Sequence, residues 1–153
     1  MKVTAKAFLS VLVAISAGFG AVATQAETAS PALVWNFDRE QPGTLPSELS
    51  IGTFFDGRPA GDWQVLTTDR AKSHPHVLAQ LMAKGAEHAY KVTLIKDVIA
   101  SDLTLEVSFL PIQGQADMGG GLIWRAADDR NYYLARANPL EQNIRVYRVE
   151  NGI

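Results

Sequence analysis

Between Trp124 and Tyr147 stand seven side chains of the types that hold a sugar: Trp124, Arg125, Tyr133, Arg136, Asn138, Arg145 and Tyr147. Aromatic faces pack against the C–H surfaces of a pyranose ring, and planar polar groups fork onto neighbouring hydroxyls. The competing assignment puts Trp124, Tyr133 and Tyr147 in a core, with the arginines covering them through their apolar stems. Bond cleavage in a glycan asks for more, namely two carboxylates facing each other across a cleft. The chain contains no Glu-x-Asp that would set two acids on one strand face. Glu106, between Thr104 and Ser108, is the acid in the middle of an alternating segment and is a weak candidate catalytic acid; a solvated sheet-face residue is the alternative. Asp128, Asp129 and Glu141 complete the acids that could serve, although aspartate in a turn is favoured for backbone reasons alone. The histidine pair of His74-Pro75-His76 lacks a third ligand nearby and His88 lies in a polar connection, so no metal site is expected. No Gly-x-Ser-x-Gly elbow or phosphate-binding loop occurs.

These residues need strands to position them. Leu103, Leu105, Val107 and Phe109 alternate with Thr104, Glu106 and Ser108, the period of two of a half-buried strand. From Gly119 to Ala126 the chain is apolar on both faces, with Arg125 falling beside Ile123, as in an interior strand. Its three leading glycines allow close backbone approach. After the turn Asp128-Asp129-Arg130-Asn131 come the strands Tyr132 to Ala137 and Asn143 to Val149. Short loops favour antiparallel neighbours, so residues 102–152 read as a four-stranded meander. Upstream, strands are expected over 33–37, 49–54, 62–66, 77–82 and 90–95, separated by turn formers such as Pro42-Gly43 and Pro59. No amphipathic helix is legible; Lys84 to Glu87 could form a single helical turn at most. The pattern is all-β, an antiparallel two-sheet sandwich or jelly roll.

The composition narrows the classes. The chain has 153 residues, a formal charge of -2 and no cysteine, which points to one domain and removes disulfides and thiolate-bound metal. Dispersed charge without a basic stripe excludes the usual nucleic-acid footprint and a polybasic lipid patch. At the start, Lys2 and Lys6 flank an apolar run from Ala7 to Ala17, and small residues follow to Ala26. This is the pattern of a secretory leader over 1–26, with a flexible lead over 27–32 and the domain over 33–153. The apolar run is too short to span a bilayer, so no stable membrane insertion is expected after cleavage. Loss of Lys2 and Lys6 takes the basic residues from 14 to 12 against 16 acidic, a charge of -4. The expected location is the periplasm or the cell exterior. At the other end, Asn151-Gly152 directly follows a strand as a hairpin turn would, so the domain is expected to be truncated at its C-terminus.

The runs Gly120-Gly121-Leu122-Ile123-Trp124-Arg125, Asn131-Tyr132-Tyr133, Arg136-Ala137-Asn138-Pro139-Leu140-Glu141 and Arg145-Val146-Tyr147 resemble a known group. They are similar to the secreted concanavalin A-like, laminin-G-like jelly-roll proteins related to the bacterial keto-disaccharide hydrolase-like domain. Asp62-Trp63 and Val77-Leu78-Ala79-Gln80 fit as well, and the resemblance covers about residues 33–153. It implies an exported two-sheet jelly roll with carbohydrate binding or processing as its theme, and no single catalytic residue. The leading expectation is glycan recognition without catalysis, weak and salt-tolerant towards neutral sugars. A hydrolase acting on a disaccharide or modified sugar and a structural or protein-binding envelope domain are the alternatives. No cofactor is expected; calcium, common among laminin-G-like folds, has a weak candidate place at the Asp128-Asp129 turn.

Overall fold

A computed structural model describes residues 2–6, 32–54, 60–82, 90–114 and 117–153. Among these there are ten strands and no helix: β1 (Lys2–Lys6), β2 (Leu33–Trp35), β3 (Leu49–Phe54), β4 (Trp63–Thr67), β5 (His76–Gln80), β6 (Tyr90–Ile95), β7 (Thr104–Ser108), β8 (Gly120–Asp128), β9 (Asn131–Asn138) and β10 (Asn143–Val149). They pair antiparallel in four sheets, ordered β2-β1-β7, β10-β9-β8, β3-β6 and β4-β5. The all-β class read from the alternation is what the chain adopts.

Packing of the sheets is sandwich-like and follows from the period of two. On the β3–β6 pair, Phe54, Tyr90, Val92 and Leu94 point one way and meet Ile123, Tyr132, Leu134, Tyr147 and Val149 of the β8–β9–β10 sheet. Phe54 stacks on Tyr132 with ring centroids 4.7 Å apart. Leu49 and Ile95 point the other way, into a second core with Trp35, Phe37, Leu45, Trp63, Val65 and Leu78. One two-stranded sheet is therefore shared by two cores, one on each face. Each large apolar side chain withdrawn from water contributes roughly 1.5–3 kcal/mol, before ordering costs.

The four-stranded meander is corrected to three strands. β8, β9 and β10 follow one another with short turns, but β7 pairs with β1 instead of β8. The connection over 109–119 is long enough to release β7 from the neighbour a hairpin would impose. Most of the expected leader, the lead over 27–31, the Lys84–Glu87 turn and His88 lie outside the described residues. Lys2–Lys6 does not: it runs as the central strand between β2 and β7. The Asn151-Gly152 turn forms as its composition dictates, with both residues at positive φ (55° and 84°) and reciprocal hydrogen bonds between Glu150 and Ile153. Arg130 donates to the Asn151 carbonyl, and the Asn131 side chain accepts from the Asn151 amide, which tie this turn to the β8–β9 turn.

Candidate functional site

Alternation along β9 divides the seven candidate residues between two faces. Tyr132, Leu134, Arg136 and Asn138 face the β3–β6 pair, the inner face; Tyr133, Ala135 and Ala137 face away. Across the ladders, Arg136 is opposite Arg145 on β10, and Leu134 is opposite Tyr147. Tyr133 is opposite Trp124 on β8. Arg136, Asn138, Arg145 and Tyr147 thus belong to the inner face, Trp124 and Tyr133 to the outer one. The candidate residues are therefore not brought together on one face.

On the inner face the polar residues close upon themselves. Asp117, from the loop before β8, accepts from Arg136 Nη1 at 2.7 Å, from the Asn138 amide at 2.8 Å and from the Gly119 backbone N–H at 2.8 Å. Glu141, from the β9–β10 turn, accepts from Arg136 Nη2 at 2.8 Å and from Asn143 at 3.0 Å, with Arg145 at 3.6 Å. The Arg136 side chain is 12% exposed, and two carboxylates take its two terminal nitrogens. Asn138 is buried at 1% exposure, and its carbonyl oxygen accepts from the Leu140 N–H, so it holds the turn it begins. Electrostatics agree with a charge-paired clamp at those two terminal nitrogens, while Arg136 Nε is buried without a hydrogen-bond partner among the described residues. The Asn143 amide and then the Arg136 guanidinium hold the Glu141 carboxyl below its ordinary range. Burial works to lower the Arg136 pKa, but the two carboxylates outweigh it and raise it. Tyr147 packs against the inner core beside Tyr90, whose hydroxyl is pushed up by burial and then by Tyr147.

The outer face is organised differently. Trp124 stacks on Tyr133, centroids 5.8 Å apart and planes 20° from parallel. Immediately after Trp124 the β8–β9 register shifts, and Arg125 takes a positive φ of 50°. This bulge breaks the alternation that had put Arg125 beside Ile123. Arg125 instead lines, with Trp124, an open depression of about 380 Å³ whose other lining residues are the apolar Leu103, Leu105, Leu122 and Ala135 and the polar Ser101 and Asp102. Arg125 and Asp102 form no ion pair with each other, and neither has a hydrogen-bond or ion-pair partner among the described residues. The volume falls in the range of roughly 300–1,000 Å³ common for small-molecule sites, and a largely apolar lining with a few polar groups is their usual make-up.

The acids singled out in the sequence are scattered. Glu106 is exposed on β7, and its carboxylate has no hydrogen bond or ion pair among the described residues. Both oxygens of Asp128 accept from the Asn131 amide, and one also from the Arg130 N–H; the Arg130 contact first, then Asn131, lowers its pKa. Those bonds tie the Asp128 carboxylate to its own turn. Among the described residues no group of three or more His, Asp or Glu could hold a metal ion. Sequence reasoning missed Asp117, Ser101, Asp102 and Tyr90. Asp117 carries no local signal, since its partner Arg136 is a strand away in the chain; Asp102 is marked only by preceding a strand that covers β8. No protein-family model, curated protein or solved structure matches the chain.

Proposed function

We propose that the domain is an exported carbohydrate-recognition module, a concanavalin A-like jelly roll that binds without cleaving, and that its binding site is the Trp124–Arg125 depression. One observation carries the proposal: an unpaired guanidinium and an indole line the same open depression. Tyr133 supports one side of Trp124, so the other is the platform for a sugar ring. Arg125, Asp102 and Ser101 supply donors and acceptors for hydroxyls within an otherwise apolar lining. The leader pattern over 1–26 is the basis for placing the protein in the periplasm or outside the cell.

The hydrolase alternative draws no support from the two carboxylates that come together. Asp117 and Glu141 share Arg136, and Glu141 is held ionised, whereas a general acid needs a raised pKa. A structural, protein-binding role is favoured by a different observation, the stripe of Ile144 (76% exposed) and Val146 (69% exposed) on β10. Glycan-array binding with the full chain separates the readings. Trp124→Ala is expected to weaken binding at least tenfold while the far-ultraviolet circular dichroism and melting curve stay those of a folded β protein. A chain that binds no glycan on the array, or a Trp124→Ala variant that binds as well as the parent, overturns recognition at this depression.

A further inference from the structure

Building on the carbohydrate reading, we infer that the ligand of the Trp124–Arg125 depression is an acidic glycan whose anionic group faces Arg125. The depression holds one cation and one anion, Arg125 and Asp102, that do not neutralise each other. Opposite charges left apart in one site match a ligand that is itself two-sided. A carboxylate or sulfate ester accepts the planar donors of Arg125, and ring hydroxyls donate to Asp102. A neutral sugar would satisfy Asp102 and the Trp124 face but offer Arg125 only hydroxyl oxygens, weaker acceptors for a guanidinium than an anionic group. Contrast with the inner face sharpens the point, because there the fold supplies Arg136 with two carboxylates of its own. At Arg125 it supplies none, and the positive φ of 50° sets that residue at the depression. The protein's net charge of -2 does not attract anions, so the selectivity rests on this local cation.

The test is titration of the full chain with a galacturonate tetrasaccharide, the neutral galactose tetrasaccharide of the same linkage and a sulfated galactose tetrasaccharide, read by calorimetry and tryptophan fluorescence. The expected result is at least tenfold tighter binding of a charged probe than of the neutral one, weakening as salt rises from low to physiological concentration. Arg125→Gln should bring charged and neutral probes to equal affinity, Arg125→Lys should keep part of the preference, and Asp102→Asn should weaken all three. Whether the uronate or the sulfated probe binds tighter assigns the anion. Equal binding of neutral and charged probes by the parent chain, or a preference that survives Arg125→Gln, overturns the inference and leaves glycan recognition standing. Failure of all three probes to bind, together with an empty glycan array, overturns both.

Discussion

Arg125 and Arg136 belong to one sheet, and their surroundings are opposite. Arg136 points to the inner face, where Asp117 and Glu141 reach in from the two flanking loops and occupy both ends of its guanidinium. Arg125 follows a register shift on the other face and meets no carboxylate among the described residues. The first ties the loop before β8 to the β9–β10 turn. The second stands in an open depression beside an indole. Residue type alone cannot distinguish them, but their ion pairs do: a guanidinium neutralised by the fold's own carboxylates reports on stability, one left without a carboxylate on recognition.

The largest effect should come from the seam both faces share. A Cβ at Gly121 would fall on the Ala135 carbonyl oxygen of the adjacent strand, a backbone atom that can yield only by moving β8 or β9. Gly121→Ala is expected to cost about 3 kcal/mol in urea denaturation and to remove ligand binding with it. A fully stable variant would mean that the two faces do not depend on this close approach.

Arg136→Met separates the faces. Exposed ion pairs contribute ~0.2–1 kcal/mol, and breaking a buried one costs ~3–5 kcal/mol. Arg136 is 12% exposed with carboxylates 45% and 37% exposed, so the expected loss is about 2 kcal/mol. Ligand affinity, measured below the melting transition, should not change. If affinity falls while stability holds, the assignment of clamp and site is reversed.

Tyr132→Phe is the smallest and most specific. The Tyr132 hydroxyl is buried without a hydrogen-bond partner among the described residues, so its removal is expected to stabilise the fold by about 1 kcal/mol. Burial, then Tyr90 and Asp129, pushes its pKa up to about 12 from 10.0. A raised folded pKa means that the unfolded chain ionises this tyrosine first, so stability is unaffected by its titration below pH 10 and falls as pH rises from there through about 12. Melting curves of the parent should therefore fall across that window, and those of Tyr132→Phe should fall less. An unchanged alkaline slope would show that the tyrosine titrates alike in both states.

What the sequence carried and what it withheld divide along local and non-local lines. The strands at 90–95 and 143–149 were readable from their alternation, and the Asn151-Gly152 turn from two residues suited to positive φ. The sheet that β7 joins was not, since its alternation says which residues share a face and nothing about the neighbour. Arg125 was misplaced because a bulge in a non-glycine residue leaves no mark in a hydrophobic pattern. Asp117 went unnoticed for a related reason: it sits in a loop, and its partners Arg136 and Asn138 come from a strand formed later in the chain.

The placement of β1 gives the N-terminus a double duty. Three residue pairs join it to β2 and five join it to β7, so the same residues that would head an export leader also bridge two strands of the folded sheet. Cleavage after Ala26 would withdraw that bridge. It would leave β2 and β7 two ladder spacings apart, roughly 10 Å, with their facing amides and carbonyls bare. Without those five residues β2 and β7 have no common neighbour, so this sheet lasts only as long as the N-terminal strand is in place.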